Sequence, residues 1–250
     1  MFRYALRATF LLFIAVAVSA ADQEIDSSVR RVEEAIHLKP DVDNGRNVYR
    51  ICAVCHMPEG WGTQDGYYPQ LAGQHASVII KQLADTLARN RDAPTMLPFA
   101  ALKDLSQQDI ADVAAYLALQ PMVPDNGVGP GRYLEHGRRL YEANCLDCHG
   151  KNGEGDEHKH VPLIQGQHYN YLVRQFEWIR DGKRRNADKE MVAQIKRFTE
   201  RDISAVMDYT SRLKPSAERV AKPDWRNPDF RNYYRPHSPA EWRLQDMRSR

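Results

Sequence analysis

Apolar positions along the chain recur at helical spacing, and they do so in two comparable stretches. Ile110, Val113, Ala114 and Leu117 share one helix face, as do Ile203, Val206 and Met207. Each stripe follows a capping pattern, Ser106-x-x-Asp109 and Thr199-x-x-Asp202, which predicts a helix start at that point. Upstream, Val78, Ile79 and Leu83, and again Tyr171, Leu172, Phe176 and Ile179, mark a middle helix directly after a Gly-Gln-His triplet. An earlier helix runs through Gly45-Arg-Asn-Val-Tyr49 in one stretch and Gly137-Arg-Arg-Leu-Tyr141 in the other. No convincing strand pattern interrupts these segments, so the predicted fold class is all-α.

The two stretches are a duplicated unit. An offset of 93 residues carries Cys52 onto Cys145, and Pro69, Gly73, Gln74 and His75 onto Pro162, Gly166, Gln167 and His168. It also carries Gln82, Asp109, Ile110 and Tyr116 onto Gln175, Asp202, Ile203 and Tyr209. Domain one is therefore expected at 44–120 and domain two at 131–213, joined by a Pro/Gly-rich linker at 121–130. A unit of about 80 residues has a thin core, which a buried, covalently attached prosthetic group would enlarge.

Residues 1–20 read differently from the rest. Arg3 and Arg7 precede an uncharged, mostly apolar run from Ala8 to Ala21, closing on Val18-Ser19-Ala20. This is the pattern of an export signal cleaved near Ala20, so the mature chain is expected in the periplasm. The run is 14 residues long, too short for a comfortable membrane span. The mean hydropathy of the whole chain, −0.63, and the lack of an apolar run of 18 or more residues predict no membrane span in the mature chain. Beyond the signal, 33 Lys+Arg balance 33 Asp+Glu, and a nucleic-acid binder would show a basic excess. Charge is uneven at the ends: 21–43 is an acidic extension with seven acids and three bases. The tail 214–250 has nine bases, five acids, five prolines and several aromatics. Such a tail is expected to pack over the chain's own body or to dock a partner.

Four cysteines carry the chemistry. They stand as Cys52-Ala-Val-Cys55-His56 and Cys145-Leu-Asp-Cys148-His149. C-x-x-C-H is the attachment pattern of c-type haem, in which both thiols add to the porphyrin vinyl groups and the histidine reaches the iron. A four-cysteine zinc site would bring its pairs within roughly 15–20 residues; here 89 residues separate Cys55 from Cys145. A thioredoxin-like dithiol needs a βαβ setting that neither pair has. Two covalent haem c groups are expected, with His56 and His149 as iron ligands.

The opposite face of each iron calls for a further donor. Met57 directly follows His56 and cannot reach it; Met122 lies in the linker, and Met207 belongs to the apolar stripe. Met96, in the loop Asp92-Ala-Pro-Thr-Met-Leu-Pro98, and Met191, in the matching loop Asp188-Lys-Glu-Met-Val192, are the candidate sixth ligands. They stand 95 residues apart rather than 93, so the loops differ in length. Pro69 and Pro162 are candidates for accepting the Nδ1–H of the ligating histidines. His75 and His168 precede helices, where capping or surface roles are expected. His158 and His160 are read as solvated, and Lys183-Arg184-Arg185 as a solvated basic face or docking patch.

With these motifs, the chain resembles the dihaem class I cytochromes of the cytochrome c4 family over about Asn44–Leu213. The resemblance implies two tandem class I cytochrome c domains, each wrapped around one haem, with the haems facing each other. It implies one-electron transfer in the periplasm between redox proteins, a quinol-oxidising complex as donor and a terminal oxidase or reductase as acceptor. Met57 stands where the second motif has Gly150, which predicts a different exit of the chain from the first haem. Methionine at both irons favours a carrier over an enzyme. A dihaem oxidoreductase with one open iron, or an electron-entry subunit of a larger complex, remain as alternatives.

Overall fold

The computed structural model describes residues 29–96 and 104–233; the export-signal reading, and the parts of the two charged ends outside these ranges, lie beyond the described residues. Domain one contains α2 (Val42–His56), α3 (Ala76–Leu87) and α4 (Gln107–Ala118), preceded by α1 at 29–37. Domain two contains α5 (Leu134–Asn144), α6 (Leu146–His149), α7 (Tyr169–Arg180), α8 (Lys189–Ile195) and α9 (Glu200–Ser211). The described residues contain no strand, only isolated bridges between Met122 and Val220 and between Asp156 and Val161. The reciprocal capping boxes form at both places where the sequence has them: Ser106 with Asp109, and Thr199 with Asp202.

In each domain the first and last helices cross, α2 over α4 and α5 over α9. Glycine sits at both crossings because the backbones nearly touch: a Cβ on Gly45 would lie 2.1 Å from the Asp112 carbonyl oxygen, and one on Gly137 lies equally close to that of Ala205. Tyrosine pairs fill the space beside these contacts, Tyr49 with Tyr116 and Tyr141 with Tyr209, each 5.6 Å between ring centroids. Ile110, Val113, Ala114 and Leu117 close the first core; Leu172, Phe176, Ile203, Val206 and Met207 close the second. Each large apolar side chain so buried contributes about 1.5–3 kcal/mol.

The described parts of both charged ends pack onto domain one. Ala35 of α1 is buried in its core, and Gln107 of α4 donates to Glu34. After α9 the chain forms a short turn (Ala217–Arg219) and bridges Met122 through Val220. It then lays Trp225 against Trp61, 5.7 Å between ring centroids. Asn227 donates to Pro58 O and Tyr116 Oη, at 2.7 and 2.9 Å, and Phe230 enters the domain-one core. The described part of the tail, which stands outside both sequence repeats, is thus a strap from domain two across to domain one.

Among the described residues the two domains differ at the Cys-His motif. α2 runs unbroken into its Cys-His motif, whereas Cys145 separates α5 from the four-residue α6. In domain two the segment holding Met191 is the helix α8, capped by Asp188, not the loop that the repeat comparison predicts.

Candidate metal centres

Each Cys-His motif occupies the end of a helix, which brings its thiols and imidazole onto one short stretch of backbone. All four cysteines are free thiols. Burial pushes the Cys52 thiol up to about 11 and Cys145 to about 12. Among the described residues no three His, Cys, Asp or Glu side chains converge as a metal cage, which leaves the four-cysteine zinc reading without a geometry.

The two histidines are held alike. His56 Nδ1 lies 3.0 Å from Pro69 O, and His149 Nδ1 lies 3.1 Å from Pro162 O. A carbonyl only accepts, so each Nδ1 carries the proton and donates it. Burial lowers the His56 pKa to about 4 against the raising effect of the Pro69 carbonyl; burial likewise lowers that of His149. Both rings are therefore neutral at physiological pH, and neither Nε2 makes a hydrogen bond to a described residue. A neutral imidazole with an available Nε2, beside two free thiols, is the donor set that haem c requires.

Glycine makes this arrangement possible. Gly62 N–H donates to His56 O and Gly155 N–H to His149 O, at 3.0 and 2.9 Å, turning the chain back toward its proline. Their φ values are 66° and 68°. A Cβ on Gly62 would lie 2.2 Å from Tyr68 O, and one on Gly155 2.4 Å from Val161 O. Sequence reading passed over both, although they stand at the repeat offset.

The exit from the first motif corrects the expectation drawn from Met57. Met57 has φ 64°, ψ 157°, and Gly150 has φ 76°, ψ 174°. Their carbonyls accept from equivalent tyrosines, Tyr49 at 2.7 Å and Tyr141 at 2.8 Å. The chain leaves both histidines the same way, because that hydrogen bond fixes the carbonyl direction whichever residue carries it.

The candidate sixth ligands stand in unlike settings. Met96 is partly buried in a turn closed by its N–H on Ala93 O, at 2.9 Å, and it directly precedes 97–103, outside the described residues. Met191 lies in the first turn of α8, partly buried against the domain-two core. Met207 is a core residue and Met122 is fully buried between the domains, near Gly73 and Gly166.

Several polar side chains that the sequence assigned to the surface instead join the domains. His168 is 1% exposed, with Nε2 donating to Trp61 O at 2.7 Å and Nδ1 accepting from Gly127 N–H. His75 reaches Glu154 O at 2.7 Å. Arg184 is drawn off the solvated basic face: it donates to Gln175, Asn186 and, across the interface, Gln82, while Lys183 and Arg185 stay exposed. His158 is exposed, but His160 is partly buried with its Nδ1 unpartnered. His75, His168 and Arg184 were misread because each has a partner in the other repeat, where no local pattern points.

The family model for cytochrome c matches this chain twice, at residues 42–120 and 134–214. Cytochrome c4 of Azotobacter vinelandii is 30% identical over 194 residues, covering 71% of this chain and 91% of that protein. The thiosulfate dehydrogenase electron acceptor of Stutzerimonas stutzeri is 33% identical over 168 residues, 63% of this chain and 76% of that one. The crystal structure of cytochrome c4 from Pseudomonas stutzeri superposes with a TM-score of 0.64 at 27% identity, covering 70% of this chain and all of the other.

Proposed function

The chain belongs to the cytochrome c4 family of dihaem electron carriers, and we propose that it works in the periplasm, taking electrons singly from a quinol-oxidising complex and passing them to a terminal oxidase or reductase. Its two cytochrome c domains carry two covalently bound haem c groups, whose irons supply a reversible one-electron change. In this reading Cys52 and Cys55 hold the first haem, with His56 and Met96 as its axial ligands. Cys145 and Cys148 hold the second, with His149 and Met191.

The observation that carries the reading is the pair of neutral histidines, each donating Nδ1–H to a proline carbonyl and leaving Nε2 without a hydrogen bond among the described residues. That bond fixes the ring and raises its basicity as a ligand. A methionine thioether on the opposite side favours the ferrous state and leaves no position for a substrate. Arg184, one of the three basic residues ahead of Met191 that an oxyanion site could use, spends its guanidinium on neutral side-chain oxygens, which supports a carrier over an oxidoreductase. The similarity to a thiosulfate dehydrogenase electron acceptor also supports a carrier, one whose donor is an enzyme.

The periplasmic assignment rests on the basic-then-apolar pattern before Ala20, and no described helix is long and apolar enough to cross a membrane. The test is haem stoichiometry and carbon monoxide binding. The matured protein should hold two haems that resist acid–acetone extraction, and the reduced form should bind carbon monoxide poorly. Rapid binding would mean an open iron and would hand the lead to the oxidoreductase reading.

A further inference from the structure

The carbonyl that holds each histidine belongs to a peptide group gripped from the other domain. His149 Nδ1–H donates to Pro162 O; the N–H of that same peptide, on Leu163, donates to Oε1 of Gln74 at 2.9 Å. In mirror fashion His56 donates to Pro69 O, and the N–H of that peptide, on Gln70, donates to Oε1 of Gln167 at 3.0 Å. Each glutamine closes a ring by returning its Nε2–H to the next carbonyl, Gln74 to Leu163 O at 2.8 Å and Gln167 to Gln70 O at 2.9 Å. Each Oε1 is further oriented by the following histidine N–H, His75 at 3.0 Å and His168 at 3.1 Å. The side chains of those histidines then bond the opposite domain, through Glu154 O and Trp61 O.

A peptide group that donates through its N–H becomes a better acceptor at its C=O, since chained hydrogen bonds polarise one another by about 10–30% per bond. This effect is larger where water is excluded, and Gln70, Leu163 and Gln167 are all buried. A better acceptor draws the imidazole N–H further, makes the ring a stronger donor to iron and favours the ferric state. We propose that Gln74 and Gln167 are positioning residues acting across the domain interface, each setting the strength of the other domain's histidine–carbonyl bond and thereby the potential of the other domain's haem. Docking of the two domains is then itself a determinant of both potentials. This rests on the reading of His56 and His149 as iron ligands.

The test uses the full, haem-loaded chain. Gln74→Met and Gln167→Met keep length and remove the amide; each haem's potential is titrated and assigned from its paramagnetically shifted NMR resonances. Gln74→Met should raise the potential of the domain-two haem and leave that of domain one. Gln167→Met should do the reverse. The expected size is up to tenfold in the ferrous-to-ferric ratio, which is about 59 mV for a one-electron couple. Gln74→Glu retains the acceptor and strengthens it, so it should shift the domain-two haem the opposite way; this sign test stands even if a methionine variant fails to mature. His75→Leu removes an interface bond without touching either peptide and should move neither potential. The proposal is overturned if each variant shifts its own domain's haem, if both haems shift together, or if His75→Leu has the same effect as Gln74→Met. It is overturned equally if potentials stay fixed while spectra show two normally ligated haems. A wild-type spectrum lacking histidine ligation would instead defeat the functional reading beneath it.

Discussion

Phe230 stands edge-on to Tyr49, with 5.9 Å between ring centroids and 84° between the ring planes. Tyr49 is fully buried and its hydroxyl holds the Met57 carbonyl just past the first motif. The tail therefore closes the face of the helix that bears Cys52, Cys55 and His56. Phe230→Ala should cost about 3–5 kcal/mol in domain one, the usual range for a buried phenylalanine. Thermal unfolding followed at each haem should show only the first transition moving. Cutting the chain after Leu213 should do the same, more severely; unchanged melting of the first domain would contradict this account of the strap.

Met57 occupies backbone space that suits glycine, since its φ and ψ nearly repeat those of Gly150. Such strain costs a non-glycine residue about 1–3 kcal/mol. Met57→Gly should therefore stabilise domain one by about 1–2 kcal/mol, after the entropy glycine adds to the unfolded chain is subtracted. Gly150→Ala should destabilise domain two, because its Cβ would also meet the Glu154 carboxyl carbon at 2.5 Å. Chemical denaturation of both variants checks the pair of opposite signs.

Met96→Ala should open the first haem alone, and Met191→Ala the second alone. Each should gain carbon monoxide binding at one iron and lose potential there, as the thioether that favours ferrous iron is removed. An unaltered spectrum in the Met191 variant would exclude it as ligand and direct attention to other donors in domain two.

Gly62→Ala and Gly155→Ala should each disturb the proline carbonyl that orients the histidine. The new methyl group falls within bonding range of backbone, which cannot yield as a side-chain tip can. Strain and overpacking together predict a loss of about 3 kcal/mol. The affected domain should also show a changed histidine Nδ1–H resonance, whereas an alanine variant with native stability and spectrum would refute the tight turn.

Much of each domain was legible because its cues are local. Ser106 and Asp109 are three residues apart and form their capping box as written; Cys52, Cys55 and His56 announce their chemistry by spacing alone. What escaped is whatever depends on distant partners. Gln74 and Leu163 are 89 residues apart, and Asn227 meets Pro58 across 169. No periodicity encodes such meetings, so His168 and Arg184 read as surface groups until the domains are seen together. Met57 escaped for another reason: residue identity suggested a backbone that the Tyr49 hydrogen bond overrules. The helix α8 was missed because the proline-flanked segment around Met96 suggested a loop, and that reading was carried over to Met191.

The strap gives the two domains different histories during synthesis. Domain two has its helices, from Leu134 to Ser211, in one uninterrupted stretch of chain. Domain one has its helices early but receives Asn227 and Phe230 only near the end. As the chain emerges from its N-terminus, the domain made first is the one finished last. Until then the surface around Tyr49 and Tyr116 lacks its cover, and closing it requires contacts of long sequence separation, which form slowly. Chains halted before residue 227 would keep that surface open, so the aromatic core of domain one would report whether the strap has been made.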